Sequence, residues 1–136
     1  MKRYGVALLT VLLLTGVAGT AAAKDICLDG GSSGKLVFRK VKKLKAGGTI
    51  SLAGMYIISG SIAACEGAAA MNSAGSSVSV GVFCHGLLIS NNFTWEWTAT
   101  DTTLAGTGDR DLNGDYSPDG SPLTLTSIDC GTVTVP

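Results

Sequence analysis

The chain has 136 residues, with ten basic and ten acidic side chains, one histidine, nineteen glycines and four cysteines. That length holds one ordinary domain with a modest core. If Lys2 and Arg3 leave with a leader, eight basic face ten acidic groups, a formal charge of −2 that argues against general nucleic-acid binding.

The first element reads as a leader rather than as structure. Met1-Lys2-Arg3 supplies a charged start, Val6 to Val17 an apolar core, and Ala21-Ala22-Ala23 the small residues a signal peptidase accepts. Residues 1–23 are therefore expected to be a cleaved signal peptide and 24–136 a single β domain starting at Lys24. The core falls short of the ~20 apolar residues of a membrane span. The expected location is periplasmic or extracellular, an oxidising space in which cysteines pair.

Beyond the turn Gly30-Gly31-Ser32-Ser33-Gly34, the stretch Lys35 to Lys45 fits two readings. Val37, Val41 and Leu44 share a helical face, whereas Leu36-Val37-Phe38 between glycines favours a strand, which is the reading taken. Its basic run, Lys35, Arg39, Lys40, Lys42, Lys43 and Lys45, reads first as a solubilising strand edge and second as an anion contact. Thr49 to Cys65 carries no charge, but Ile50, Leu52, Tyr56 and Ile58 alternate, so it is expected to form strand and not a membrane span.

Ala68 to Met71 is expected to make one helical turn, followed by the turn Asn72-Ser73-Ala74-Gly75. Val78, Val80 and Val82 alternate with Ser77, Ser79 and Gly81. After an expected turn at Asn91-Asn92, Phe93, Trp95, Trp97 and Ala99 share one strand face, with Thr94, Glu96 and Thr98 on the other. Leu123 and Leu125 alternate with Thr124 and Thr126, and Thr132 to Val135 repeats the rhythm. Seven or eight short strands result: an all-β domain, a small antiparallel up-and-down barrel or a sandwich. In strand rhythm it resembles small ligand-binding barrels such as the lipocalins and avidins. It has neither the lipocalin Gly-x-Trp motif nor an avidin-like ligand set, so the resemblance implies architecture and carries over no site.

Four cysteines allow three pairings. The expected one joins Cys27 to Cys130, tying the ends of the domain, and Cys65 to Cys84, linking neighbouring strands. His85 lies next to Cys84, so in a strand the two point to opposite faces and do not share an ion.

Three features bear on function. Phe93, Trp95 and Trp97 form an aromatic row suited to stacking on a small ligand, or to filling the core. Asp109, Asp111, Asn113 and Asp115, with Gly114, match the opening of an EF-hand calcium loop; Gly120 stands where a bidentate Glu belongs, and the competing reading is a solvated acidic turn. Catalysis finds little: His85 has no G-x-S-x-G or H-E-x-x-H context, and pairing Glu66 with Glu96 as a glycosidase couple is arbitrary. The expectation is a non-enzymatic exported module that binds a small ligand or protein partner, without a cofactor; the alternative is a calcium-stabilised structural protein.

Overall fold

The structure, a computed structural model, describes residues 22–86, 89–111 and 119–136. Eight strands follow one another: β1 (Lys24–Asp29), β2 (Lys35–Val41), β3 (Thr49–Ile58), β4 (Ser61–Met71), β5 (Val78–Gly86), β6 (Ile89–Ala99), β7 (Gly106–Asp111) and β8 (Ser121–Ile128). Each pairs antiparallel with its sequence neighbours and β8 returns to β1, closing an up-and-down barrel. Closure leaves no open sheet edge, so the lysines of β2 do not guard one. Both expected disulfides, Cys27–Cys130 and Cys65–Cys84, are formed. Among the described residues no helix is long and apolar enough to cross a membrane.

The period-two pattern becomes inside and outside. Leu52, Tyr56, Val78, Val80, Val82, Trp95, Trp97, Leu123 and Leu125 fill the interior, while Ser79, His85, Glu96, Thr98, Thr124 and Thr126 are exposed. An eight-stranded barrel is just wide enough for side chains to fill it. Tight curvature is achieved where an aromatic ring faces a glycine. Phe38 pairs with Gly54 and Trp97 with Gly108, and the two rings stack with centroids 6.5 Å apart. A Cβ on Gly108 would lie 2.5 Å from Trp97 Cα, so the close approach of β6 and β7 requires glycine there.

Two local expectations are corrected. Ala68 to Met71 lies within β4, because Ala68, Ala69 and Ala70 pair on one side with β3 and on the other with β5; two flanking ladders override the helix preference of alanine. Asn91-Asn92 lies within β6, which begins at Ile89. The chargeless stretch from Thr49 is a hairpin, β3 to β4, turned at Ser59 and Gly60 with φ of 48° and 78°, as a two-residue primed turn requires.

The disulfides occupy opposite sides of the wall. Cys65 and Cys84 are register partners inside the barrel, 5% and 0% exposed. Cys27 faces outward with Val37 and Ile57, and this outer patch is covered by Ile128, Cys130 and Val133 of the C-terminal segment. Closing loops of 103 and 19 residues stabilises the fold by about 4.7 and about 3 kcal/mol respectively on a chain-entropy account.

Candidate functional site

The even alternation of β2 breaks at Arg39-Lys40, and beside that break lies an apolar cavity at one end of the barrel. Lys40 has a φ of 51°, a left-handed conformation that is costly for a side-chain-bearing residue and needs support. Asp25 of β1 supplies it: its Oδ1 accepts from Lys40 N–H at 3.0 Å and its Oδ2 from Arg39 Nη1 at 2.7 Å. The register of β1 against β2 shifts at the same place, between Lys24 and Ile26. This bulge advances the chain by one residue, so that Val41 and, beyond the strand, Leu44 turn into the core while Lys42 and Lys43 stay exposed. The Lys40 N–H and the Arg39 guanidinium hold the Asp25 carboxyl below the usual carboxylate range.

The loops around this end are tied down. Gly48 N–H donates to Lys45 O at 2.8 Å and Gly47 N–H to Met71 O at 3.1 Å, fixing the β2–β3 connection against β4. In the β6–β7 connection, Asp101 Oδ1 accepts from Thr103 N–H at 3.0 Å and Thr103 Oγ1 at 2.6 Å. Leu104, with φ 63°, is thereby folded into the barrel at 1% exposure, and its carbonyl accepts the indole N–H of Trp97 at 2.8 Å. Between these elements lies a cavity of about 230 Å³, walled by Ile26, Val41, Leu44, Ile50 and Leu104 and opening past Lys24, Lys42 and Lys43. Apolar walls with a few polar groups at the opening are the usual anatomy of a small-molecule site at a barrel mouth.

Compared with protein-family models, curated proteins and solved structures, the chain matches none. The site is therefore read from its own geometry.

The residues singled out by sequence fall elsewhere. Trp95 and Trp97 are 2% and 3% exposed; Trp95 stands edge-on to Tyr56 with centroids 4.5 Å apart. A ligand stacking on either ring would have to displace core. The side chain of Phe93 lies outside the described set. Tyr56 donates its hydroxyl to Ser33 O at 2.7 Å, and burial pushes its pKa up against the lowering effect of the Arg110 charge. Arg110, opposite Trp95 in register, has a buried Nε without a hydrogen-bond partner among the described residues.

Of the acidic group, Asp109 lies on the outer face directly opposite Glu96, and Asp111 ends β7, while Asn113 and Asp115 lie outside the described residues. Glu96 and Asp109 flank an outer concavity of about 410 Å³ floored by Gly81. Ser79, Thr98 and Thr107 around it are exposed, and Val80 and Trp97, which also border it, are buried in the core cluster, so it offers a ligand no enclosed apolar contact. Among the described residues no three His, Cys, Asp or Glu side chains converge as a metal site. Glu66 and Glu96 are on different strands with β5 between them.

The cavity residues Val41, Leu44, Ile50 and Leu104 were not singled out by the sequence as a site. The one signal was the three-residue step from Val41 to Leu44, which suits neither a strand face nor an exposed lysine edge.

Proposed function

We propose that the chain is a non-enzymatic binding module of an oxidising space outside the cytoplasm, periplasmic or extracellular, that holds a small apolar ligand at one mouth of its barrel. The observation that carries this reading is the apolar cavity between Val41, Leu44, Ile50 and Leu104, held open by the Asp25-braced bulge. Two disulfides and a leader ending near Ala23 support the location. The interior beyond the cavity is packed with side chains, which favours a small occupant.

The test is thermal denaturation of the oxidised protein with uncharged apolar probes such as decanol. Saturation at a hundred times Kd raises stability by about 2.7 kcal/mol, and Ile50→Trp, which fills the cavity, abolishes the shift. A panel without any shift, or an Ile50→Trp variant that responds like the parent, refutes the reading.

A second reading, calcium binding at the acidic stretch that begins with Asp109, is favoured by one observation: Glu96 of β6 and Asp109 of β7 oppose each other directly, an arrangement of like charges that costs stability unless a cation joins them. Millimolar calcium raising the melting temperature over chelator supports it; an unchanged melt removes it.

A further inference from the structure

We propose that the ligand of the mouth cavity is an anionic amphiphile, a single short hydrocarbon chain bearing a carboxylate, sulfate or phosphate head. This rests on the cavity reading above and adds the chemistry of the rim.

The cavity is chemically two-sided. Its hydrocarbon lining comes from Ile26, Val41, Leu44, Ile50 and Leu104, and its polar lining from the exposed residues Lys24, Lys42, Lys43 and Thr102. Among the described residues these three lysines make no ion pair; the two ion pairs present are Lys35 with Asp29 and Arg39 with Asp25. The acidic groups at this end, Asp25 and Asp101, are outnumbered by its lysines, and of the two only Asp25 is paired with a cation. Asp25 is held by Arg39 and the Lys40 N–H, and Asp101 is turned onto Thr103. Lys40 and Lys45, both exposed, add to the same field.

An uncharged ligand would fill the depth and leave this charge unanswered. An ammonium-headed one would be repelled, and a bare anion would gain nothing from the apolar walls. Only a molecule with both parts meets both surfaces. The volume of about 230 Å³ holds about seven groups of the size of a water or methylene at ~30 Å³ each. A chain of about seven carbons therefore fits inside, a ten-carbon probe extends past the opening with its head toward the lysines, and a two-chain lipid does not fit. Cleavage before Lys24 would remove Ala22, which lines the cavity, and leave a further ammonium at the rim, strengthening the same preference.

The experiment compares three ten-carbon probes, decanoate, decanol and decylammonium, by calorimetric titration of the oxidised exported protein at low and high salt, with anionic phosphatidylglycerol vesicles as a fourth arm. The inference expects decanoate to bind about tenfold more tightly than decanol at low salt, from a few exposed ion pairs, with the gap closing as salt screens them. Lys42→Gln/Lys43→Gln removes most of that advantage, whereas Lys35→Gln, at the other end of β2 and paired with Asp29, leaves the decanoate-to-decanol ratio as in the parent. Equal affinity for decanoate and decanol overturns the headgroup assignment while leaving the cavity reading standing. Failure of both probes overturns both. Association with anionic vesicles without any response to decanoate overturns the proposal in favour of a membrane surface.

Discussion

Two glycines on the strands that flank β6 give the sharpest test of how this barrel is held together. Gly108 of β7 faces inward opposite Trp97, and Gly81 of β5 faces outward. A Cβ on Gly108 would meet Glu96 O, Trp97 Cα at 2.5 Å and Trp97 Cβ at 2.6 Å. Ordinary carbon contacts begin near ~3.5 Å, so β6 and β7 would have to separate by about 1 Å. The obstructing atoms are mostly backbone of a closed sheet, so no rotamer change relieves them. Overpacking costs about 1 to 3 kcal/mol where side chains can adjust, and Gly108→Ala is expected at or above the top of that range. Nothing lies within 4 Å of a Cβ on Gly81, and its φ is not left-handed. Gly81→Ala should therefore stabilise by about 0.5 to 1 kcal/mol through lower backbone entropy in the unfolded chain. Urea unfolding of the two oxidised variants beside the parent measures both. In melting temperature, at about 4 °C per kcal/mol for a domain this size, the variants should move in opposite directions. Shifts of the same sign, or a Gly108→Ala loss below about 1 kcal/mol, would refute the reasoning that tight β6–β7 approach requires the glycine.

Three further outcomes follow from the same geometry. Under mild thiol reductant without denaturant, Cys27–Cys130 should open first, since Cys130 is half-buried on the outer wall while Cys65 and Cys84 are 5% and 0% exposed; alkylation and mass analysis would show the reverse order if access does not govern the reaction. Trp97→Phe removes the donor to Leu104 O and leaves a buried carbonyl, so a loss of about 2 kcal/mol is expected by chemical denaturation, together with weaker binding at the mouth; a loss below about 0.5 kcal/mol counts against the indole as anchor. The Asp25 carboxyl has a folded pKa below its unfolded value because of the Lys40 N–H and Arg39. Its contribution is present above the unfolded pKa of about 3.9 and disappears as pH falls through the folded one. Asp25→Asn should flatten the pH dependence of stability below about pH 4, measured by unfolding from pH 6 to 2, and an unaltered profile would show that the brace of the bulge is not electrostatic.

Much of the architecture was legible because it rests on repeating physics. The alternation of Val78, Val80 and Val82, of Trp95 and Trp97, and of Leu123 and Leu125 marks inner faces directly. Cys65 and Cys84 flank one hairpin, and Cys27 and Cys130 sit near the ends that a closed barrel brings together. What stayed hidden depends on departures from repetition. The bulge at Lys40 needs Asp25, fifteen residues away, and no local pattern announces such a partner. Leu104 is an isolated apolar residue between Thr103 and Ala105 with no alternating pattern around it, yet its left-handed backbone aims it into the barrel. The site is therefore assembled from β1, the β2–β3 connection, β3 and the β6–β7 connection, and a strand-by-strand reading finds the walls before it finds the opening.

The outward course of the C-terminal segment has a practical side. Bonded to Cys27 and seated on Val37 and Ile57, the segment runs along the outer wall, and Thr132 and Thr134 lie beside Gly31, Ser32 and Ser59 in the turns that close the end away from the lysine-rimmed mouth. A chip surface, dye or affinity handle joined after Pro136 would thus hold the barrel by its far end, with the cavity directed toward solution and free to exchange its contents.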